Sequence, residues 1–465
     1  MFNLSPTKTP MPEQAPLPRR QNFDEVETGY SPQAAIDEAK RCIDCKTRPC
    51  VSGCPVNVSI PEFITKVAEG DFEGAYKIVS ETNSLPAVCG RVCPQENQCE
   101  RVCVRGNKGE SVAIGRLERF VADWHDSHAR ETADKPPPAV APEQKHRVAV
   151  VGSGPAGLAC AGDLLGSGCA VTVFESSHRP GGVLVYGIPD FRLPKDTVDG
   201  EIGKLKARGA EFRVNEVIGK SLTLGELFDE GFKAVFIGSG AGTPRFLGIP
   251  GENLLGVISA NEYLTRINLM RAHLTKYDTP LKPAARVAVI GGGNVAMDAA
   301  RTAGRLGVET VTIVYRRSMN ELPARVEEIR HALEEGIIFK TLTNPLEVLG
   351  DDRGCVRGLY CAAMQLGEPD ESGRARPVEI PGASFILECD TVIVAAGTDP
   401  NPLISMAEKG LETDRWGCIK TDENMATSLD RVYAGGDAVT GAATVIQAMG
   451  AGKIAAKSIK AQLTS

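Results

Sequence analysis

Aromatic residues are scarce, at 5% of the 465 residues, and there are only two tryptophans. Positive charge is not in excess. The net charge is -7, which leaves no basic footprint for DNA or RNA. No apolar run approaches the roughly 18 residues needed to cross a bilayer. The opening segment MFNLSPTKTPMPEQAPLPRR lacks the apolar core of a secretory signal. These absences exclude nucleic-acid and membrane-spanning functions and predict a cytoplasmic chain.

What is present is glycine and cysteine. The 49 glycines suit an α/β protein with many tight strand–helix turns, and the length suggests two to four domains. Of 14 cysteines, eight fall between Cys42 and Cys103, while Cys160, Cys169, Cys355, Cys361, Cys389 and Cys418 are scattered singly. In a reducing compartment the eight read as metal ligands and not as disulfides.

The chain divides by composition. Residues 1–30 form a polar, Pro-rich arm, read either as a disordered tail or as a segment that docks on a partner. Residues 31–128 are Cys-rich with helical patterning, and residues 129–145, with Pro136, Pro137 and Pro138, look like a linker. Beyond it, short apolar runs alternate with glycine turns and helical patterns, which indicates βαβ units and parallel sheets. Two units resemble each other: RVAVVGSGPAGLACAGDLLGSGCAVTVFES at 147–176 and RVAVIGGGNVAMDAARTAGRLGVETVTIVYRR at 286–317.

The first unit carries Gly152, Gly154, Pro155, Ala156 and Gly157 in a G-x-G-x-x-G turn, and Glu175 ends its second strand. The first glycine makes the turn, the second lets backbone approach a pyrophosphate, and the third lets helix pack on strand. The acid accepts hydrogen bonds from ribose hydroxyls. The second unit has Gly291, Gly292, Gly293, Asn294, Val295 and Ala296, and its second strand ends in Arg316 and Arg317. Paired guanidiniums there favour a 2′-phosphate, hence NADP(H) over NAD(H). Flexible backbone at Gly181 and Gly182, with Leu184 and Ile188, follows Glu175 and suits a flavin. Near the C-terminus, Gly436 and Asp437 precede Thr444 and Val445 at a helix start, where a ribityl chain and a pyrimidine edge would be held. The segments 236–242 and 393–400 read as crossings between two domains. The expected fold class is α/β, with a helical Cys-rich domain at 31–145 including the linker. An FAD domain at 146–284 plus 391–465 follows, with an NADP(H) domain at 285–390 inserted in it.

This order resembles the two-dinucleotide-domain flavoprotein disulfide reductases. Those that reduce disulfides directly carry a close cysteine pair beside the flavin, whereas here no cysteine lies between residues 170 and 354. Electrons must leave the flavin another way.

The cysteine runs read Cys42-x2-Cys45-x4-Cys50-x3-Cys54-Pro55 and Cys89-x3-Cys93-Pro94-x5-Cys99-x3-Cys103. Eight thiolates suit two metal centres. Zinc ribbons usually show two C-x2-C pairs and this chain has one, while Cys followed by Pro is typical of [4Fe–4S] binding. CIDCKTRPCVSGCP, AVCGRVCPQENQCERVC, AIGRLERF, GGVLVYGIPDFRLPK, GGGNVAMDAAR and AGGDAVTGAATVI together resemble the glutamate synthase small-subunit-like flavoproteins. That group extends to the N-terminal part of dihydropyrimidine dehydrogenase and, most similar, the large subunit of NADH-dependent reduced ferredoxin:NADP oxidoreductase. The resemblance implies two interleaved clusters, one on Cys42, Cys45, Cys50 and Cys103, the other on Cys54, Cys93, Cys99 and Glu118, with Cys89 left as a spare thiol. It also implies FAD, NADP(H), two [4Fe–4S] clusters and a heteromeric complex. The partners would be ferredoxin and a small flavoprotein or iron–sulfur subunit, or alternatively a glutamate synthase large subunit. A redox-responsive binding protein with structural clusters is the reading from a different class.

Overall fold

A computed structural model describes residues 2–132, 146–370 and 373–464. The linker expectation at 129–145 therefore lies mostly outside the described residues; its first four belong to the helix Ile114–Thr132.

The N-terminal third is helical, as its patterning predicts. Ser31 accepts from the Ala34 N–H and Pro32 opens the helix Pro32–Ala39; Asp71 caps Phe72–Ser80 in the same way. The helices Ile60–Glu69, Phe72–Ser80, Pro86–Val92 and Ile114–Thr132 pack together through Phe63, Ile64, Val67, Val79, Val88 and Leu117, all buried.

The remainder is built on two parallel sheets. In chain order the strands are β1 (Arg147–Val151), β2 (Ala170–Glu175), β3 (Glu211–Val214), β4 (Ala234–Ile237), β5 (Thr243–Pro244), β6 (Val257–Ser259), β7 (Arg286–Ile290) and β8 (Thr310–Val314). They continue with β9 (Ile338–Lys340), β10 (Thr343–Gly350), β11 (Val356–Pro369), β12 (Ala375–Glu388), β13 (Thr391–Val394), β14 (Thr398–Asp399) and β15 (Val432–Ala434). The first sheet runs β15-β4-β1-β2-β3 and the second β6-β13-β7-β8-β9. The fingerprint strands β1 and β7 sit in the middle of their sheets with matching burial, an exposed arginine followed by four buried residues. Continuous apolar runs of this kind suit strands covered on both faces.

The internal resemblance is thus structural, but the expected boundaries at 284/285 and 390/391 are not where the sheets divide. β6 at 257–259 pairs with β13, and β13 at 391–394 pairs with β7, so both belong to the second sheet. These strands are three and four residues long, and pairing, not composition, assigns them. The short antiparallel ribbon β5–β14 lies where the chain crosses between the sheets, and a three-stranded antiparallel sheet β10-β11-β12 completes the second unit.

The arm at 1–30 is not a loose tail. Arg19 is fully buried and pairs with Glu334 at 2.6 Å and Glu335 at 3.0 Å beside the second sheet's helix Val326–Glu334. Glu13 pairs with Arg330 at 2.8 Å and with His331. The Val26 N–H donates to the Phe191 carbonyl at 3.0 Å, Phe23 stacks on His273, and Asn3 and Thr9 bond to the helix Pro32–Ala39. The arm docks on its own chain and ties all three parts together. Among the described residues no helix is long and apolar enough to cross a membrane.

Candidate functional site

The first glycine turn has the geometry its residues require. Gly152 adopts φ +98°, and a Cβ there would meet the Gly238 carbonyl oxygen at 2.4 Å. A Cβ on Gly157 would lie 1.9 Å from the Gly152 oxygen, so only glycine lets the helix Pro155–Gly166 pack on the strand. Gly154 is different: a Cβ would meet nothing within 4 Å, because its backbone faces open space. Glu175 is buried and already committed to the turn on the protein side. It accepts from the Ser153 N–H at 3.1 Å, the Ser153 hydroxyl and the Ser177 N–H at 2.8 Å.

The second turn repeats this. Gly291 has φ +144° and backs onto the Ala395 carbonyl, Gly292 packs against the Tyr315 ring, and Gly293 faces open space. The two arginines after β8 part company. Arg316 is exposed. Arg317 is buried; its guanidinium pairs with Asp370 at 2.5 Å and donates to the Ala375 carbonyl at 2.8 Å. The expected pair of free guanidiniums is therefore one, since Arg317 holds β11 to β12.

Both turns open into one cavity of about 580 Å³. Of the residues expected to bind FAD, Gly152, Gly154, Pro155, Ala156, Glu175, Gly182, Ile188, Asp437, Thr444 and Val445 line it. Gly157, Gly181, Leu184 and Gly436 lie behind its wall. Of those expected to bind NADP(H), Gly293, Asn294 and Val295 line it, and Gly291, Gly292, Ala296, Arg316 and Arg317 do not. Burial pushes the Asp437 carboxyl up to about 6. Residues not singled out in the sequence also line the cavity: Tyr186, Asn261, Arg192 and Asp298. Arg192 Nη1 donates to both carboxylate oxygens of Asp298 at 2.8 Å, joining the two sheet units. Both sit inside quoted motifs, YGIPDFRLPK and GGGNVAMDAAR, and their charge in apolar surroundings was the available signal. Val92 and Pro94 of the helical domain complete the wall.

The clustered cysteines meet in two sets that mix the two sequence runs. Cys42, Cys45, Cys50 and Cys103 surround a cavity otherwise lined largely by apolar side chains, with Ile60, Ile64, Val112 and Ile114 among them. Burial first, then the other three thiols, push Cys50 up to about 12. In the second group Cys54, raised by burial to about 11, has Glu118 and Cys93 as electrostatic neighbours, and Cys99 has Glu118, Cys54 and Cys93. Glu118 is partly buried and pushed up to about 7 by burial, so it is not a free surface helix residue. Among the described residues no three such side chains converge as a single ion requires; the thiols stand around a space instead. Buried, grouped thiols in an apolar setting fit a polynuclear iron–sulfur cluster, and the open backbone at Gly154 and Gly293 fits dinucleotide phosphates. Cys160 and Cys169 are buried in the core away from the cavity.

Residues 146–452 match the family model described as pyridine nucleotide-disulphide oxidoreductase, and residues 19–130 match dihydropyrimidine dehydrogenase domain II, 4Fe-4S cluster. The chain is 36% identical to the glutamate synthase [NADPH] small chain of Halomonas elongata over 96% of its own length and 95% of that protein's. The chain belongs to the glutamate synthase small-chain family of iron–sulfur flavoproteins. Another family member, the Escherichia coli glutamate synthase small chain, is 35% identical, with 96% of each chain covered. The NADP(+)-dependent formate dehydrogenase subunit beta of Moorella thermoacetica is 39% identical over 89% of this chain, which spans 59% of that longer protein. In fold the chain resembles Mycobacterium tuberculosis FprA in complex with NADPH, with TM-score 0.57 and 22% identity over 69% of this chain and 85% of that one. This family member is an NADPH-dependent oxidoreductase subunit whose cofactors are FAD, NADP(H) and [4Fe–4S] iron–sulfur.

Proposed function

We propose that the chain is the NADPH-oxidising electron-transfer subunit of a heteromeric complex, with two [4Fe–4S] clusters on the cysteine groups described. The observation that carries this is the shared wall. One cavity joins both glycine turns, and Val92 and Pro94, on either side of Cys93, close it. FAD held here would supply the exchange between the two-electron chemistry of NADPH and single-electron transfer, which nicotinamide lacks.

The residues do the rest. The turns at Gly154 and Gly293 offer backbone N–H groups at helix starts to the phosphates of the two dinucleotides, FAD at the first and NADP(H) at the second. Arg316 meets the 2′-phosphate. Asp437 and the start of the helix Val445–Thr464, with Thr444, hold the flavin's ribityl and pyrimidine ends. The group Cys54, Cys93, Cys99 and Glu118 adjoins the cavity. The group Cys42, Cys45, Cys50 and Cys103 lies nearer the surface, beside exposed Ile43 and Arg48. On this reading electrons pass from the cavity to the second group, then to the first group and the surface, and a partner takes or gives them near Ile43.

The sequence motifs favour a bifurcating subunit that couples NADP(H) to ferredoxin and, through a small flavoprotein subunit, to NAD. The match along nearly the whole Halomonas elongata small chain supports a second reading, delivery of electrons to a glutamate synthase large subunit. Isolation of the native complex separates them. Copurification with a small flavoprotein supports the first reading, and with a very large glutaminase-bearing subunit the second. A chain that isolates alone at native expression, with no companion, contradicts both.

A further inference from the structure

Asn83 was not among the residues the sequence singled out, yet its side chain joins Glu118 to Cys89. It is fully buried, in the turn before the helix Pro86–Val92. The Leu85 N–H donates to Asn83 Oδ1 at 2.9 Å, and the Cys89 thiol lies 3.6 Å from the same oxygen. A backbone N–H can only donate, so it fixes which end of the amide is oxygen. The amide nitrogen must then face the other way, where it donates to Glu118 Oε1. That bond occupies one carboxylate oxygen and leaves Oε2 without the amide.

Cys89 is fully buried; its sulfur also lies 3.6 Å from Met449 Sδ and within hydrogen-bonding reach of the Cys93 thiol. Met449 belongs to the helix Val445–Thr464, whose first turn lines the dinucleotide cavity. A chain of contacts therefore runs from that helix through Cys89 and Asn83 to Glu118. A turn-forming role would account for the Leu85 bond alone. It gives no reason for the amide nitrogen to meet a buried carboxylate, or for a thiol to stand against the amide oxygen.

We infer that Asn83 is a positioning residue that presents Glu118 to the second iron–sulfur cluster through one oxygen, and that Cys89 serves by holding Asn83 and not as a ligand. The inference rests on the proposal that Glu118 is a ligand. Groups that orient a ligand tune its basicity and the properties of the metal it holds, so the effect belongs in the cluster's spectrum and midpoint.

The test uses the full chain loaded with FAD and iron, titrated electrochemically and followed by electron paramagnetic resonance. Asn83→Asp keeps the shape and the acceptor for Leu85 but removes the donor to Glu118; Asn83→Ala removes both bonds. Both variants are expected to shift the midpoint and signal of one and the same cluster and leave the other unmoved. Cys89→Ala is expected to retain its full iron. An Asp variant indistinguishable from the parent, a shift of both clusters alike, or loss of iron from Cys89→Ala overturns the inference. Failure of the underlying assignment reads differently: Glu118→Ala would then leave both clusters unchanged.

Discussion

The residue after β8 that faces solvent, Arg316, carries the nucleotide preference in this account, while its neighbour Arg317 is spent on Asp370. A charged hydrogen bond to phosphate contributes about 1.5–3 kcal/mol, so Arg316→Ala should raise KM for NADPH by roughly ten- to a hundredfold while kcat changes little. Arg317→Ala should instead lower thermal stability without a selective effect on NADPH over NADH. Steady-state kinetics with both nucleotides checks the pair. Gly157→Ala should bring the chain out of the cell without FAD, because its Cβ would strike the Gly152 carbonyl at 1.9 Å; flavin content after purification is the measurement. The glycines were legible because close backbone contact leaves no other choice of residue. Arg317 was not, because its partner lies 53 positions away and nothing local announces it. Tyr186, Arg192 and Asp298 escaped notice because each lies inside a motif whose pattern shows only that something is required there.

At the scale of elements, the arm at 1–30 is the main departure from what the sequence suggests. Its prolines and low hydrophobicity read as a tail or as a segment that docks on a partner. Buried charge holds it instead, and charge pairing leaves no periodic trace. Arg19 is fully buried among Glu334, Glu335 and the arm's own Glu13, and removing one partner from such a set leaves uncompensated charge. Arg19→Ala should therefore cost about 3 kcal/mol or more in chemical denaturation. The hydrogen bond from Arg330, against burial, lowers Glu13 from 4.5 to about 2. Burial opposes ionisation of Glu335, yet Arg305 and Arg301 hold it down at about 2. Both carboxyls are depressed in the folded state, so their contribution is fully present above pH 4.5 and is lost as the pH falls from there toward 2. Limited proteolysis across that window should cut the arm before either sheet domain; simultaneous cleavage of arm and domains would contradict this. The division of the sheets misled for a related reason, since β6 and β13 are too short for their composition to say which sheet they join.

For the whole molecule, the sequence showed a helical cysteine domain followed by two dinucleotide units, and that order stands. What it could not show is that the three parts share one cavity. That depends on long-range contacts such as Arg192 with Asp298 across the sheets, and Arg325 bonding the Arg91 carbonyl and Gln95 at 2.9 and 3.0 Å across the domains. These contacts fix the second sheet's glycine turn against the helical domain, and so place Cys93 beside the cavity wall. The most direct test is anaerobic mixing of the fully loaded chain with NADPH, following flavin absorbance and the iron–sulfur paramagnetic signal in the same sample. The flavin is expected to bleach and an iron–sulfur signal then to appear. Bleaching with the clusters left oxidised would make them structural or sensory, and would contradict electron transfer through them.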